Sequence, residues 1–270
     1  MPSYGNLWRE AMKEKASAQY SARTIDDAAE RGFWHGFIPE NGQMPLDDYT
    51  EPIRSTLSKL LKEHPADSIL EIGPGWGNYT YLLAQACAHM TCVDISPDVL
   101  AYISRTCLAK GMRVETVPVK WEDYNGPKHD LVFAFNCFYR MMDLEGALQK
   151  IHETGSMYHI IGMTSGPEQE YFPLLERELG LSINYHRLDY IYILNALYQL
   201  GLDVNVTIVK LQKKYSFESF SAAMDHVCSR ILSPEYDRQA VESLAGSYFI
   251  REQDGAYSYT HHFNAALLHW

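Results

Sequence analysis

The chain has 270 residues, of which 46% are hydrophobic, and carries a formal net charge of −11 at pH 7. Such a chain can bury a large core, as one domain or as one domain with a sizeable appendage. A nucleic-acid-binding surface usually needs a basic stripe, and the densest basic cluster here contains only Lys210, Lys213 and Lys214, which disfavours nucleic acids and anionic membrane surfaces as partners.

Cysteine usage and the N-terminal sequence indicate the cellular environment. The five cysteines are odd in number, scattered and never spaced C-x-x-C, which argues against a disulfide framework and a structural zinc site. The opening MPSYGNLWREAMKEK has no apolar signal-peptide core, and no segment approaches the roughly 20 apolar residues that span a bilayer. We therefore expect a soluble cytoplasmic protein with no metal site.

The first 50 residues mix helix-like pieces with an aromatic stretch, FWHGFIPENGQMP, from Phe33 to Pro45. Disordered segments contain fewer aromatic residues, so this stretch is expected to be an ordered loop or lid.

From Thr50 to Ser165, short apolar segments alternate with amphipathic ones. The predicted strands are Ser68–Ile72, Met90–Ile95, Val114–Val119, Asp130–Phe135 and Tyr158–Met163. The intervening segments have helical periodicity. This alternation predicts right-handed βαβ units and a parallel sheet that is covered on both faces.

After Ser165 the pattern changes. Residues 166–200 contain two helical patterns, and a strand with one drier face follows from Val204 to Ile208. Helices are predicted within 217–232 and 235–245, and strands near 248–251 and 261–268. The sheet is therefore expected to begin parallel and to end in hairpin-like strands.

The segment ILEIGPGWGNYT, from Ile69 to Thr80, places glycines at positions 73, 75 and 77 between a predicted strand and a predicted helix. Glycine tolerates positive φ and lets a ligand approach bare main chain, and the following helix offers unpaired N–H groups. The G-x-G-x-G spacing differs from the G-x-G-x-x-G of dinucleotide loops. Asp94, at the end of the next strand, could accept hydrogen bonds from both hydroxyls of a ribose.

These motifs resemble those of the class I S-adenosylmethionine-dependent methyltransferases. LEIGPGWG resembles the first motif of that family and CVDIS the second, and the match continues in order through VKWEDY, HDLVFAFNCFY and YHIIGMTS, over about residues 66–165. The resemblance implies an α/β fold: a seven-stranded, mostly parallel, doubly wound, Rossmann-like sheet with antiparallel C-terminal strands. It also implies S-adenosyl-L-methionine as cofactor and S-adenosyl-L-homocysteine as product.

The resemblance further implies roles for individual residues. The glycines would approach the methionyl and ribose portions of the donor, Asp94 would bind the ribose, and Asn136 would border the methyl group. Trp121 would contact the adenine, although Lys120 stands where the family often has an acid, and plain core packing of Trp121 is the alternative. The implied cofactor-binding residues are Glu71, Gly73, Pro74, Gly75, Gly77, Asp94, Ile95, Trp121, Glu122 and Asn136.

We expect one methyltransferase domain over residues 1–270. Its parts are a helical and aromatic lid (1–50), a cofactor-binding core (51–165), helical acceptor-side insertions (166–200 and 216–245) and closing strands (201–270). Aromatic residues of the insertions, among them Tyr171, Tyr185 and Tyr190, are consistent with an acceptor cavity, a homodimer contact or ordinary core.

Methyl transfer from a sulfonium needs an aligned nucleophile, and it needs a general base only when the nucleophile arrives protonated. Tyr139 and His35 are the candidate catalytic residues, and His159 and His186 are further candidate bases. We expect the lid to include Tyr20, Trp34, His35 and Phe37 and to face Phe138 and Tyr139. The alternative is that these aromatic residues only attach a helix to the core.

The predicted acceptor is a small molecule. The alternatives are a protein or RNA methyltransferase, a donor-binding protein that does not catalyse transfer, and a nicotinamide-dependent oxidoreductase, whose glycine turns and ribose-binding acids are similar.

Overall fold

The computed structural model describes residues 3–14, 23, 25–184 and 188–270. Tyr20, Tyr185 and His186, which the sequence analysis considers, lie outside these residues. Within the described ranges, no helix has the length and apolar character needed to cross a bilayer.

From residue 51 to residue 165, helices and strands follow one another as the sequence predicts, and two helices precede them in the described part of the chain. The elements are α1 (Tyr4–Glu14), α2 (Asp27–Phe37), α3 (Glu51–Glu63), β1 (Ser68–Ile72), α4 (Thr80–Ala86), β2 (His89–Asp94), α5 (Pro97–Ala109), β3 (Glu115–Pro118), β4 (His129–Phe135), α6 (Leu144–Thr154) and β5 (Gly155–Ser165). Short 3₁₀ turns occur at Asp48–Thr50, Trp121–Asp123 and Phe138–Arg140.

The remaining chain contains four helices and three strands in its described part. They are α7 (Tyr171–Leu179), α8 (Tyr190–Gln199), β6 (Asn205–Phe217), α9 (Phe220–Cys228), α10 (Arg238–Ala245), β7 (Ile250–Arg251) and β8 (Tyr257–His269), with a 3₁₀ turn at Gly246–Tyr248.

The strands form a sheet of order β3-β2-β1-β4-β5-β8-β6, with β7 paired to β8 in antiparallel fashion. β1 pairs in parallel with β2 on one side, where Ile69 lies opposite Met90, and with β4 on the other, where Ile69 lies opposite Leu131. The order therefore reverses between β1 and β4, the kind of point where open α/β sheets bind ligands. The predicted fold class, a mostly parallel sheet with antiparallel C-terminal strands, is confirmed.

Local sequence signals explain several boundaries. The Ser96 side chain accepts a hydrogen bond from the Val99 amide and caps α5, whose first residue is Pro97. Gly111 follows that helix at φ +74°, a conformation that glycine adopts without steric cost.

Two sequence-based expectations differ from the structure. Phe33 to Phe37, expected within an ordered loop or lid, are helical and form the last turns of α2, which begins after a cap in which Asp26 accepts hydrogen bonds from the Ala28 and Ala29 amides. The strand that starts near Val204 was expected to be short, with a helix from Phe217. Instead β6 runs through Phe217, and its alternation of exposed Lys210 with buried Val209 and Leu211 has the period of a strand.

The chain divides into two compact units. The first comprises residues 1–164, 188–209 and 265–270; its core includes Leu70 and Val132 of the central strands and Leu148 of α6. The second comprises residues 165–187 and 210–264 and has a core of its own that includes Tyr171 and Met224. The domain limits proposed from the sequence stay a prediction.

The contact between β5 and β8 in the first unit generates a stability prediction. A Cβ at Gly162 would lie 2.4 Å from the carbonyl oxygen of Ala266, a main-chain atom that cannot move alone. We expect Gly162→Ala to lower the free energy of unfolding by about 1–3 kcal/mol.

Chemical denaturation measures this change. Gly32→Ala is the matched control: a Cβ at this α2 position would have no neighbour within 4 Å, and alanine favours a helix over glycine by up to about 1 kcal/mol. Equal stability of Gly162→Ala and the wild type would show that the two strands are not in contact there.

Candidate functional site

A cavity opens within the first unit at the carboxyl ends of β1, β2 and β4. It brings together nearly all the cofactor-binding residues that the sequence predicts. Those that line it are Glu71, Gly73, Pro74, Gly75, Asp94, Ile95, Trp121, Glu122 and Asn136, together with the candidate catalytic residue Tyr139.

The glycine turn forms one wall of this cavity. Gly73, Gly75 and Gly77 have φ values of +65°, +54° and +87°, so all three adopt backbone conformations that other residues rarely reach. A Cβ at Gly73 would lie only 2.9 Å from the Cβ of Cys137. Gly77 does not line the cavity; a Cβ there would press against the side chains of Ile103 and Tyr81.

Glu71 is a buried carboxyl at the end of β1. Its Oε2 accepts a hydrogen bond of 2.6 Å from the Thr80 hydroxyl, at the start of α4. The pKa of Glu71 is raised to about 8, mainly by burial; the hydrogen bonds from Thr80 and Cys92 oppose this rise, and the nearby Asp94 carboxylate adds to it. Glu71 is therefore mainly protonated at neutral pH and joins the strand to the helix.

Asp94 ends β2 and is 9% exposed. Its Oδ1 accepts a hydrogen bond of 2.7 Å from the Ser96 amide. The pKa of the Asp94 carboxyl is raised to about 7, mainly by burial. The hydrogen bond from the Ser96 amide opposes this rise, Glu30 adds to it and Arg140 opposes it. This group can therefore change its charge near neutral pH.

Trp121 is both a core residue and a cavity wall. It is 4% exposed, stacks on Tyr124 and donates from its indole nitrogen to the Ala147 carbonyl at 3.1 Å. The core packing considered as an alternative is thus present, and the ring also lines the cavity.

Asn136 has a strained backbone, with φ +54°. Its Oδ1 accepts hydrogen bonds from the amide of Thr164, at 2.8 Å, and from the hydroxyl of Thr164, at 3.3 Å. Because a backbone N–H can only donate, the carbonyl side of this amide is fixed toward Thr164, and the NH₂ group is the part that remains for other partners.

Helix α2 also contributes to the cavity wall. Of its predicted lid residues Trp34, His35 and Phe37, Trp34 alone lines the cavity. Glu30, which is 3% exposed, accepts a hydrogen bond from the Trp34 indole nitrogen at 2.8 Å and pairs with Arg23 and Arg140. Lys120 pairs with Asp27 at 3.0 Å. The lysine that departs from the family pattern therefore holds α2 against the edge of the cavity.

The candidate bases are dispersed. His35 is exposed, lies outside the cavity lining and contacts Asp98 at 3.3 Å. His159 is buried and stacks on Trp270. Tyr139 alone among the described candidates lines the cavity, and it is 46% exposed. The catalytic roles of Tyr139 and His35 stay predictions, and the position of His35 gives its role no support.

Several lining residues were missed by the sequence analysis. They are Glu30, Asp47, Tyr49, Ile72, Trp76, Asn78, Tyr79, Val93, Val119, Lys120, Phe135, Cys137, Arg140 and Met141. Three of these residues lie within or next to the glycine turn: Trp76, Asn78 and Tyr79. Their position beside the glycine motif is a sequence signal that could have predicted their place in the cavity lining. Asp47 and Glu30 belong to segments without a motif.

The comparisons with known proteins agree with this fold. Residues 69–154 match the model of a family described as a methyltransferase domain. A ribosomal RNA small-subunit methyltransferase A from Nitrosococcus oceani is 23% identical over 157 residues, 58% of this chain and 52% of that protein. The chain thus spans about half the length of this curated relative.

Two solved structures of similar fold contain S-adenosylhomocysteine. An N-methyltransferase from Bradyrhizobium japonicum is 13% identical, with a TM-score of 0.50 over 88% of this chain and 96% of that one. A magnesium protoporphyrin IX methyltransferase from Synechocystis is 14% identical, with a TM-score of 0.50 over 90% of this chain and 96% of that one.

The family-model match covers β1 to α6, the elements that build the glycine turn and the Asp94 strand end. The sheet order and the position of the cavity agree with it. Over residues 69–154 the chain therefore matches a methyltransferase domain, and its fold is similar to that of methyltransferases that contain S-adenosylhomocysteine.

Proposed function

We propose that this protein transfers a methyl group from S-adenosylmethionine to a small-molecule acceptor in the cavity of the first unit. The observation that carries the proposal is that the bare glycine turn and the Asp94 carboxyl line the same aromatic-walled cavity. The sulfonium supplies an activated methyl group, so the chain must bind, orient and exclude water.

In this proposal the lining residues divide by the part of the donor that they hold. Ile95 and Trp121 provide apolar surfaces for the adenine, and Asp94 accepts hydrogen bonds from the ribose. The main chain of Gly73 and Gly75 leaves room for the methionyl portion. Asn136 and Tyr139 line the same cavity beyond β4 and are the residues proposed to border the methyl group.

Helix α2 acts as a lid in this proposal. Trp34 lines the cavity, and its ring lies 3.6 Å from the Cβ position of Gly75. The pairing of Glu30 and Asp27 with Arg140 holds α2 in place. A lid at this position excludes water from the glycine turn, which favours displacement at the methyl carbon over hydrolysis.

The net charge of −11 supports a small-molecule acceptor, because a polyanion would be repelled by the field of the whole protein. An RNA acceptor is the second candidate, favoured by the 23% identity to an RNA methyltransferase.

Incubation with labelled S-adenosylmethionine tests the proposed acceptor class directly. Metabolite extract, total protein and total RNA are offered as separate acceptors, and we expect the label in the metabolite fraction. Label in RNA alone would replace the proposal by its second candidate. Label in none, with donor bound, would point to a donor-binding protein.

Asp94 provides a test of the proposed ribose contact. The ionised carboxylate accepts hydrogen bonds from both hydroxyls, whereas a protonated acid must donate one. Binding therefore favours the ionised form and lowers the pKa of Asp94 from about 7. Donor affinity should rise with pH below about pH 7, by up to about tenfold per unit, and level off above it.

Calorimetric titration with S-adenosylhomocysteine at a series of pH values measures this effect. Asp94→Asn keeps the oxygen that accepts from Ser96 but cannot ionise, so its affinity should be lower and lose this pH dependence. Asp98→Asn removes a charge that is farther from the cavity and should behave as wild type. Wild-type affinity in Asp94→Asn would place the ribose elsewhere.

The lid role predicts a weaker donor complex in Trp34→Ala. Removing the ring takes away the apolar wall over Gly75, and S-adenosylhomocysteine affinity should fall about tenfold, or about 1.4 kcal/mol. Arg31→Ala changes an exposed residue of the same helix outside the cavity lining and is the control. Equal affinity of Trp34→Ala and Arg31→Ala would show that α2 does not act through Trp34.

A further inference from the structure

One corner of the cavity has no role in the proposed binding of adenine and ribose. It is formed by Asp47, Tyr49, Asn78 and Tyr79, all of which line the cavity. Asn78 and Tyr79 directly follow the glycine turn, and the Tyr79 ring packs against Phe135 of β4 at 4.9 Å between centroids. The corner therefore lies on the β4 side of the turn, away from the Asp94 strand end.

The Asp47 side chain is held by contacts within this corner. Asp47 precedes the 3₁₀ turn Asp48–Thr50, where an aspartate commonly caps the first amides, but its side chain makes no cap bond. Instead its Oδ2 accepts a hydrogen bond from the Asn78 amide group at 2.9 Å and one from the Tyr49 hydroxyl at 3.4 Å. The backbone N–H of Asp47 donates to Asn78 Oδ1 at 3.1 Å.

These contacts leave the carboxylate without a cationic partner. Asp47 takes part in none of the ion pairs formed by the described residues, and no hydrogen bond from them reaches its Oδ1. The nearby Arg54 pairs with Glu51 and donates to the Asn78 carbonyl instead. Asp47 and Tyr49 both raise the pKa of the Tyr79 hydroxyl, after the larger effect of burial, which indicates that the three groups share one environment.

A carboxylate that lines a cavity together with two tyrosines has the chemistry of an ammonium site. The oxygen offers charge and a hydrogen-bond acceptor, and aromatic faces attract cations. Glu71 is poorly suited to this task, because it is bonded to Thr80 and its raised pKa, about 8, leaves it mainly uncharged.

We propose that the corner formed by Asp47, Tyr49 and Tyr79 binds an ammonium group. The proposal rests on the proposed function, which places the donor in the same cavity. The ammonium belongs either to the methionyl end of the donor or to an amine acceptor, and the experiment below separates the two.

The test compares Asp47→Asn with the control Asp48→Asn. The amide at position 47 can still accept from Asn78, so the local structure should persist while the charge is lost. Asp48 is exposed, does not line the cavity and carries the same charge. Three probes are titrated by calorimetry: S-adenosylhomocysteine, 5′-methylthioadenosine, which lacks the ammonium-bearing end, and tetramethylammonium, with and without S-adenosylhomocysteine present.

If the donor ammonium occupies the corner, Asp47→Asn should lose about tenfold in affinity for S-adenosylhomocysteine and nothing for 5′-methylthioadenosine. If an acceptor occupies it, both nucleosides should bind as to wild type, and tetramethylammonium binding to the S-adenosylhomocysteine complex should be lost. Equal behaviour of Asp47→Asn and Asp48→Asn with all three probes would overturn the inference.

Failure of the proposed function gives a different result. A wild-type protein that bound no S-adenosylhomocysteine would contradict the proposed function. The ammonium site would then be tested by titrating the free protein with tetramethylammonium. Binding of tetramethylammonium should be lost in Asp47→Asn and kept in Asp48→Asn.

Discussion

The close approach of Gly73 to Cys137 is the constraint on which the site depends. Because β1 pairs in parallel with β4, the chain leaving β1 and the chain leaving β4 emerge at the same edge of the sheet. They lie so close that a Cβ at position 73 would be 2.9 Å from that of Cys137. Because a side chain does not fit at position 73, main-chain atoms form this wall of the cavity, next to the strained Asn136.

Two buried carboxyls at neighbouring strand ends serve different purposes because their partners differ. Glu71 is bonded to the Thr80 hydroxyl and is mainly protonated at neutral pH. Asp94 accepts from a backbone amide, which favours its ionised form, and titrates near neutrality. Burial dominates at both positions. The first carboxyl therefore joins secondary structures, and the second remains available to a ligand.

The sequence predicted the parallel half of the sheet well because its strands are short apolar runs separated by amphipathic helices, and because the glycine motif marks one strand end. It predicted the extent of β6 poorly, since Lys210 to Lys214 interrupt the apolar pattern of a strand. β6 lies at the edge of the sheet, where exposed charged residues are common. Glu30 and Asp47 could not be predicted. Each reaches the cavity through contacts distant in sequence, such as that of Glu30 with Arg140 and that of Asp47 with Asn78.

The charges in the cavity lining bear on how donor and product would exchange in the proposed reaction. The cations of the lining, Lys120 and Arg140, are paired with the lid carboxylates Asp27 and Glu30. Asp47 and Asp94 are in no ion pair among the described residues, so the field that they add is negative. A negative field attracts a sulfonium more than a neutral thioether. These two carboxylates would therefore favour replacement of the product by the donor, and no movement of the lid is needed to create that preference.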